Sequence, residues 1–564
     1  MDRSQLVPNH NGPLVLPNSP FFGKLLRHAR RGRLAIRDVI SGVEKTYEDL
    51  LADALTLRAV VESVLSEDVK CQLDNGKEVF VGVLAAGGYE FAVAVIAALA
   101  LGAAVVPMSV SVAIQEAEYY ATKSKQVVIL SSSAATGLAT DVIDAMKRNG
   151  SNIQSITVLP HLAETQKFSA LDMVISSNPP LDDRSAGIVI FTSGTTGKPK
   201  GAVLRRSYTH CTAEAIGEGY DMDHNDTLLH VLPVHHTTGL GTSFFPWMVA
   251  GGCIEFRSGT FSPEWIWKRW LQGGITIFSG VPTIYMRLKW YFEQTIAHLP
   301  QHERDRYVQA ANSVRILKCG SSALQKDVQV FWTKLRKGRP ILTRYGATEF
   351  PGCIKVPSGI DPTTLPADCV GMVVPGVEVK LSEGETGELL VKSPYMFSRY
   401  LDSDEATKAA HDANGYFKTG DIGRREGHMY FITGRASVDI LKSGGYKISA
   451  IEIERALLEL PYIKEVAILG VADEEYGQRV GAAVVTKDLT GSKLSLGRLR
   501  QDLKDKLAKY KLPTLLRLFD LELPKGPTGK VQKKVLGETY FPTPGWSQDS
   551  NVEAWKSTRK ASRL

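Results

Sequence analysis

Short apolar runs alternate with amphipathic, helix-like segments through about the first 430 residues. Runs such as VFVGVLAA (79–86), QVVILSS (126–132), GIVIF (187–191) and VRILKCG (314–320) are nearly continuous in apolar character rather than alternating. Strands that are apolar on both faces are typical of parallel sheets covered by helices on both sides. The pattern therefore predicts an α/β fold for the larger, N-terminal part of the chain.

The pattern changes after about residue 370. The stretch 370–433 is rich in turns and alternates polar with apolar positions, as in ETGELLVKS (385–393), which predicts an antiparallel β subdomain. Beyond Gly434 and Arg435 shorter helical and strand patterns follow one another, which predicts a small α+β domain. We expect an N-terminal domain that includes the β-rich part, a C-terminal domain and a tail, over residues 1–434, 435–541 and 542–564.

The composition and charge of the chain indicate which kind of ligand it binds. The 564 residues are 43% hydrophobic and 23% charged, as in an ordinary globular enzyme, and the net charge is +7. This mild surplus favours an anionic ligand over nucleic acid, because no dense Lys/Arg stripe with interleaved aromatics is present. Between Arg498 and Glu538 eleven Lys/Arg face five Asp/Glu. That run is either a solvated helix face or a lid attracted to polyphosphate, and the sequence leaves both open.

The cysteine pattern and the apolar runs bear on the compartment. Six scattered cysteines without a CxxC pair favour a reducing compartment and no structural zinc. The run 91–107, broken by Gly102, predicts a buried helix and a short strand rather than a membrane span. The start of the chain lacks the apolar core of a secretory signal. Because Ser562-Arg563-Leu564 resembles a peroxisomal address, we expect a peroxisomal or cytoplasmic enzyme, with an import receptor as a possible partner.

The segment FTSGTTGKPKG (191–201) combines four hydroxyls, three glycines and two lysines directly after a buried-strand pattern. Glycines allow backbone N–H groups to approach phosphate oxygens, and hydroxyls and lysines add donors and positive charge. The spacing is not that of a Walker loop, and a flexible linker is disfavoured by the strand that precedes it. The segment predicts a phosphate-binding loop whose contacts come from Thr192, Ser193, Gly194, Thr195, Thr196, Gly197, Lys198 and Lys200.

This loop and the motifs that follow it resemble the adenylate-forming superfamily of acyl-CoA synthetases, adenylation domains and luciferases. The resemblance extends from about residue 20 to 541, with RYGATE (344–349), YFKTGD (416–421), ITGR (432–435) and LPKGPTGKV (523–531) in the family's order. It implies a large N-terminal domain of αβαβα layers with a β subdomain, and a small mobile C-terminal lid. It also implies ATP, Mg²⁺ and coenzyme A as substrates and cofactors.

The resemblance assigns roles to the motif residues. Tyr345 would stack on adenine, Thr348 would contact the α-phosphate, Glu349 would hold Mg²⁺ and Asp421 would bind the ribose hydroxyls. A hard carboxylate suits a hard cation, although an isolated Thr-Glu pair is more often a helix cap. Lys530 would lie at the junction of carboxylate and phosphate, where it would stabilise developing charge. Further nucleotide contacts are implied for Gly320, Ser321, Ser322, Gly346, Ala347 and Arg435.

Two segments concern the lid. The glycine-rich stretch 443–447 resembles the border of the pantetheine tunnel, which implies Ser443, Gly444, Gly445 and Tyr446 as its lining. The family's hinge lies two residues after the ITGR arginine, which is Ser437 here, with Asp439 as an alternative because this segment is one residue longer than usual. The implied mechanism has two half-reactions separated by a rotation of the lid.

Within the superfamily the chain is similar to malonyl-CoA synthetases, through LHVLPVHH (229–236), SGVPTIYMRL (279–288), RYGATE and GRASVDILKSGGYKISAIEIE (434–454). In that group two arginines hold the distal carboxylate, and their positions match Arg287 and Arg344. The planar guanidinium suits this role because it binds a carboxylate with two hydrogen bonds. For either arginine taken alone, the alternative is an ion pair with an acidic side chain of the protein that serves only the structure.

The predicted acyl pocket differs from that of the malonyl-CoA synthetases at two positions. His236 matches the general acyl-pocket position, and we expect it among the catalytic residues with Lys530, Thr348 and Glu349. Thr238 and Ala347 replace a histidine and a methionine, so we expect a pocket that admits a larger di- or tricarboxylate, or a longer acid, than malonate. The alternatives are a ligase for medium-chain fatty or aryl acids, a stand-alone adenylation enzyme that loads a carrier protein, and a non-catalytic nucleotide-binding protein.

Overall fold

The computed structural model describes most of the chain in thirteen ranges. These are residues 12–162, 168–192, 199–321, 324–357, 359–360, 364–366, 369–436, 438–443, 446–473, 476–487, 494–526, 530–542 and 546–555.

The largest sheet has thirteen strands and joins a parallel half to an antiparallel half. The parallel half and the hairpin strand at its edge comprise Val43–Thr46, Leu34–Asp38, Cys253–Phe256, Thr227–His230, Ile277–Gly280, Ile316–Cys319 and Leu342–Tyr345. The antiparallel half continues through Ile354–Lys355, Cys369–Val373, Met429–Arg435, Phe417–Glu426, Thr386–Lys392 and Glu378–Glu383. The predicted antiparallel unit is therefore an extension of the parallel sheet.

The second large sheet has seven strands with a mostly parallel centre. In spatial order they are Arg399–Tyr400, Lys200–Arg205, Ala186–Thr192, Ala104–Met108, Phe80–Leu84, Gln126–Ser131 and Gln154–Thr157. A two-stranded pair, Val15–Leu16 with Val174–Ile175, lies apart from it. The five residues of Phe80–Leu84 are all buried, as the continuous apolar run predicted.

Helices cover both large sheets and separate them. Tyr89–Ala100 contacts strands of both sheets, and only Glu90 among its residues is not buried. This helix and the strand Ala104–Met108 confirm the reading of the run 91–107. Tyr47–Val64, which begins at a capping box of Thr46 and Asp49, packs against it. The remaining helices of this part are Pro20–Ala29, Glu67–Asp74, Ile114–Lys123, Thr136–Arg148, Cys211–Glu218, Phe245–Ala250, Pro263–Leu271, Pro282–Gln294, Gln301–Ser313, Lys326–Leu335 and Asp404–Ala409.

Outer helices complete the layers. Ile114–Lys123 and Thr136–Arg148 pack on the seven-stranded sheet, and Pro263–Leu271, Pro282–Gln294 and Lys326–Leu335 pack on the thirteen-stranded one. The order helix, sheet, helix, sheet, helix confirms the αβαβα fold.

The C-terminal part has its own core. A four-stranded sheet of Ile463–Asp473, Gly477–Thr486, Leu515–Phe519 and Val552–Ala554 packs with the helices Ala450–Leu458, Leu496–Leu503 and Lys533–Tyr540. A hairpin of Ile440–Ser443 and Tyr446–Ser449 precedes it. The predicted α+β character of this part is confirmed.

A tryptophan cluster stabilises the outer face of the thirteen-stranded sheet. Trp332 is fully buried, its ring lies 5.7 Å from that of Trp267 in a stacked geometry, and its Nε1 donates to the carbonyl of Tyr285 at 3.2 Å. Trp332→Ala is expected to lower the free energy of unfolding by about 3–5 kcal/mol, because it leaves a cavity. Urea unfolding followed by tryptophan fluorescence and circular dichroism measures this effect.

Val330→Ala on the same helix is the matched control, since Val330 is 57% exposed. It is expected to change the free energy of unfolding by less than about 0.5 kcal/mol. An equal loss in both variants would contradict the assignment of Trp332 to the core.

Candidate functional site

A cavity of about 2760 Å³ lies between the two large sheets and the C-terminal part. Its wall contains most of the residues that the sequence motifs predicted, although these are separated by up to several hundred positions in the chain. They are Thr192, Lys200, His236, Thr238, Arg287, Ser321, Arg344, Tyr345, Gly346, Ala347, Thr348, Glu349, Asp421, Arg435 and Lys530.

The other predicted residues either fall outside the described residues or do not line the cavity. Residues 193–198, Ser322, Ser437, Gly444 and Gly445 lie outside the described residues. Gly320 does not line the cavity but packs beneath Arg344, where an added Cβ would lie 3.0 Å from the arginine Cγ. Ser443 and Tyr446 are paired in the hairpin and do not line the cavity.

The carboxylate of Asp421 joins two of the motifs. Its Oδ2 accepts a hydrogen bond from the Tyr345 hydroxyl at 2.7 Å, and its Oδ1 accepts one from Arg435 Nε at 2.9 Å. Asp421 and Arg435 are direct cross-strand partners in the antiparallel half of the sheet. Burial, and then the charge of Asp421, raise the pKa of Tyr345, so its hydroxyl stays protonated as a donor. The arrangement fixes an anionic group and an aromatic ring side by side on one wall.

Glu349 has a partner that the motifs did not predict. Its Oε1 accepts a hydrogen bond from the Tyr400 hydroxyl at 2.7 Å, and Lys200 Nζ lies 5.0 Å from the centre of the Tyr400 ring. Tyr400 is in a two-residue edge strand that pairs with Lys200–Arg205. Tyr400 therefore connects the strand that follows the predicted phosphate loop to the carboxylate of Glu349.

The threonine of RYGATE also has an unforeseen partner. The hydroxyl of Thr237 donates to that of Thr348 at 2.9 Å. Thr237 lies between the two predicted acyl-pocket residues His236 and Thr238. This contact ties the acyl-pocket segment to the motif that the resemblance associates with the α-phosphate.

Two adjacent histidines, His235 and His236, line the cavity with their ring centres 4.3 Å apart. Burial and the charge of Lys530 lower the pKa of His236 to about 4. Burial and the charge of His236 lower that of His235 to about 3. Both imidazoles are therefore neutral near pH 7, and they present hydrogen-bonding atoms without charge.

Lys530 projects from a closed loop into this site. The loop is closed by the hydrogen bond from the Gly526 N–H to the Lys530 carbonyl at 2.8 Å and by a β-bridge between Lys525 and Val531. Burial and the positive charge of Arg435 lower the pKa of Lys530, while Asp421 opposes the shift. The ammonium of Lys530 is thus within electrostatic range of His236, Arg435 and Asp421.

Arg287 and Arg344 line the same cavity without neutralising acids. Within the described ranges, neither guanidinium forms an ion pair or hydrogen bond with a protein side chain. Arg287 lies over the Phe261 ring, with its Cζ 5.2 Å from the ring centre. Arg344 lies in the strand Leu342–Tyr345, where it is the cross-strand backbone partner of Lys355. The wall therefore offers two cations whose donors are open to an anion.

Ser321 has an unusual backbone. Its φ is +78°, the left-handed region that non-glycine residues adopt uncommonly, and it lies in the turn between Ile316–Cys319 and Lys326–Leu335. Strain of this kind concentrates at functional sites. Ser321 lines the cavity, so this uncommon backbone conformation lies on the wall of the candidate site.

The segment after Arg435 is held by three charged side chains. Lys533 Nζ contacts Asp439 Oδ1 at 2.5 Å and Glu454 Oε1 at 2.7 Å, and Asp439 Oδ2 accepts the Arg435 N–H at 3.0 Å. Asp439, the alternative hinge position, therefore connects the edge of the large sheet to the helix that begins at Lys533. No sequence motif indicated this role of Lys533.

The donor set fits a magnesium ion that is shared with phosphates. No group of three or more His, Cys, Asp or Glu side chains that could hold a metal occurs among the residues that can be described. Mg²⁺ commonly takes only one or two carboxylates and completes its shell with water and substrate phosphates. Glu349, which lines the cavity near Lys200 and the end of the strand Ala186–Thr192, provides one such carboxylate.

The helices offer no candidate for a bilayer span. In the described part of the chain, none combines the length and the apolar character that crossing a membrane requires.

Known proteins resemble both parts of the chain. A family model described as AMP-binding enzyme matches residues 32–401, and one described as AMP-binding enzyme C-terminal domain matches residues 452–530. A CoA ligase of Gibberella moniliformis is 29% identical over 94% of this chain and 96% of its own. A mitochondrial malonate–CoA ligase of Mus musculus is 31% identical over 97% of this chain and 96% of its own. The crystal structure of ATP-bound MatB from Rhodopseudomonas palustris matches with a TM-score of 0.76 at 25% identity, over 92% of this chain and 98% of that one.

Proposed function

Because the chain belongs to the AMP-binding enzyme family and is an AMP-forming acid–CoA ligase, we propose that its acid is malonate or a larger di- or tricarboxylic acid. The observation that carries the proposal is the pair of arginines, Arg287 and Arg344, on the cavity wall without acid partners among the described residues. Arg344 is half-buried and Arg287 is exposed on this wall, and a half-buried cation without a counter-ion is unfavourable unless a ligand supplies the charge. The name of the mouse relative, a malonate–CoA ligase, supports the same class of acid.

In the first half-reaction a carboxylate oxygen of the acid attacks the α-phosphorus of ATP. The new C(O)O–P bond forms as the bond to pyrophosphate breaks. Lys530 and Thr348 would stabilise the charge at the carboxylate and the α-phosphate, and Asp421 with Arg435 would fix the ribose. Mg²⁺ held by Glu349 would neutralise the phosphate charge.

His236 would act in this step as a neutral group. With a pKa lowered to about 4, its imidazole carries no charge at pH 7 and does not compete with the arginines for the carboxylate. It would instead shape the wall beside the reacting carboxylate, together with Thr238 and Ala347.

In the second half-reaction the CoA thiol attacks the acyl carbon and AMP leaves, so that the anhydride is exchanged for a thioester. We place the moving lid over residues 435–541 and the body over 1–434, with the hinge at Ser437 or Asp439. Lys530 lines the cavity while Ser443 and Tyr446 do not, which supports a lid oriented for the first half-reaction. Rotation of the lid would withdraw Lys530 from the cavity and bring in the four predicted tunnel residues 443–446. These residues would then border the pantetheine arm of CoA.

The acid is tested by pyrophosphate exchange and thioester formation with a panel of mono-, di- and tricarboxylic, fatty and aryl acids. Arg344→Met is expected to raise the KM for the preferred diacid by about 10–100-fold, because a charge-assisted hydrogen bond is lost. The KM for ATP and the rate with short monoacids are expected to stay within a few-fold.

Arg37→Met is a matched control, since Arg37 pairs with Glu44 at 2.6 Å at the far edge of the same sheet. Strong turnover of fatty or aryl acids that neither Arg344→Met nor Arg287→Ala affects would contradict the proposal.

Peroxisomal import stays a prediction. The name of the mouse relative assigns that protein to mitochondria, and residues 562–564 lie outside the described ranges. Fluorescence of the tagged protein with and without its terminal tripeptide tests it, and an unchanged distribution would contradict it.

A further inference from the structure

Lys318 is a fully buried lysine in the middle of the thirteen-stranded sheet. It belongs to the strand Ile316–Cys319, which lies between Ile277–Gly280 and Leu342–Tyr345, and its exposure is 0%. Lysine is almost never fully buried unless it is paired with an acid. Lys318 is therefore the least expected side chain of this core.

Its ammonium is enclosed by aromatic rings and one carbonyl. The Nζ lies 4.9 Å from the Tyr220 ring centre and 4.8 Å from that of Trp247, and it donates to the Thr242 carbonyl at 3.4 Å. Cation–π contacts of this kind recover part of the lost hydration. They do not neutralise the charge.

The charged groups that act on Lys318 are themselves positive. Burial and the charges of Arg344, Lys355 and Arg315 lower the pKa of Lys318 well below its usual value. No carboxylate lies within ion-pair distance of Lys318 among the residues that the structure describes. The surroundings therefore favour the neutral amine of Lys318 as long as no anion lies nearby.

This lysine lies directly behind the acyl pocket. Thr242, whose carbonyl Lys318 contacts, lines the cavity, as do Thr238 and Arg344. Thr242 is part of a π-helical turn, Leu240–Phe244, a geometry that is rare and frequent at functional sites. One layer of backbone thus separates the ammonium from the cavity.

Two hydroxyls beside it also lack partners. Ser279 is the register neighbour of Lys318, and its Oγ is buried without a hydrogen bond among the described residues. The same holds for the Tyr208 hydroxyl, which lies beneath Gly241 of the π-helical turn so closely that an added Cβ would collide with it. Among the described residues, the buried polar atoms below the π-helical turn therefore do not satisfy one another's hydrogen bonds.

We propose that Lys318 determines substrate specificity by carrying a positive charge behind the floor of the acyl pocket when a carboxylate lies there, so that an acid with a second carboxylate is preferred over a monoacid of the same length. The inference rests on the proposed function and adds a third basic side chain to Arg287 and Arg344. In a low-dielectric interior a charge acts over one layer of backbone with little screening. A carboxylate in the pocket would favour the protonated lysine, so binding and charge would reinforce each other.

The test compares the full-length wild type with Lys318→Met and measures adenylate formation by pyrophosphate exchange. The acids are pairs of equal length, malonate with propionate, succinate with butyrate and glutarate with valerate. We expect the KM for the diacid to rise about 10-fold in Lys318→Met, since one full charge is removed near the pocket. The KM for the monoacid and the kcat for both are expected to change less than about 3-fold, whereas a purely structural role would affect both acids alike.

Two further variants keep the test decisive. Lys318→Arg is expected to retain the diacid preference because it keeps the charge, and Lys318→Gln provides a neutral variant should Lys318→Met fold poorly. Lys289→Met, which removes a half-buried lysine paired with Asp327, is the matched control and is expected to leave the KM for both acids unchanged. An unchanged ratio of diacid to monoacid KM in the neutral variants would overturn this inference alone. A wild type that prefers the monoacid of each pair would overturn the proposed function as well.

Discussion

Lys530→Met is expected to reduce adenylate formation by about 10²–10³-fold while thioester formation from a supplied acyl-adenylate stays within a few-fold of wild type. The reason is the position of the side chain, which lines the cavity within electrostatic range of Asp421, Arg435 and His236. A preorganised cation stabilises charge that develops at the carboxylate and phosphate oxygens only in the first half-reaction. Pyrophosphate exchange measures that half, and CoA-dependent consumption of the synthetic adenylate measures the other.

Lys525→Met in the same loop provides the matched control. Lys525 is paired with Glu465 at 2.9 Å, so its charge is already neutralised, and an effect below about 3-fold is expected on either half-reaction. Equal losses in both half-reactions for Lys530→Met would show that the lysine stabilises the lid rather than the transition state.

Asp421→Asn is expected to raise the KM for ATP by about 10²-fold, because hydrogen bonds to a charged acceptor are replaced by weaker ones. The amide can accept only with its oxygen, so either the Tyr345 hydroxyl or Arg435 Nε would face an N–H₂ donor. The substitution therefore disturbs both Asp421, which would bind the ribose, and the ring of Tyr345, which would stack on adenine. Initial rates at varied ATP, with the preferred acid saturating, measure the effect.

Glu385→Gln is the corresponding surface control. Glu385 pairs with Arg425 at 2.5 Å and is exposed, so its loss is expected to leave the KM for ATP unchanged. A KM for ATP that stays within 2-fold of wild type in Asp421→Asn, in about the range of that control, would contradict the assignment of Asp421 to the nucleotide.

The motifs predicted many of the residues that line the cavity, but not the hydrogen bonds that connect them. Each of Tyr345, Asp421 and Arg435 belongs to a recognisable motif with its own expected contact. Their mutual hydrogen bonds depend on the cross-strand pairing of Asp421 with Arg435, and this register is set by bulges and turns that no motif specifies. The layered α/β fold, in contrast, follows from continuous apolar runs, which is why it could be predicted.

Residues without a motif escaped prediction. Tyr400 is in a strand of two residues and Lys533 is in a basic stretch, so neither differs locally from an ordinary surface residue. Lys318 is the single charged residue of LKCG (317–320), in an apolar strand pattern. Such a pattern does not show which face of the sheet a given residue occupies. Only the packing of Tyr220 and Trp247 around it identifies it as buried.

The continuity of the thirteen-stranded sheet has a mechanical consequence. Its antiparallel half carries Asp421 and Arg435, and its parallel half carries Lys318 and Arg344. Strands joined by backbone hydrogen bonds do not slide past one another without losing those bonds, so the two halves are held in one frame despite the β-bulges between some of the pairs. The distance between the ribose anchor and the acid-binding wall is then fixed by the backbone. Diversification of this scaffold toward other acids would proceed by exchange of side chains along the wall, with the span of the acyl-adenylate held constant.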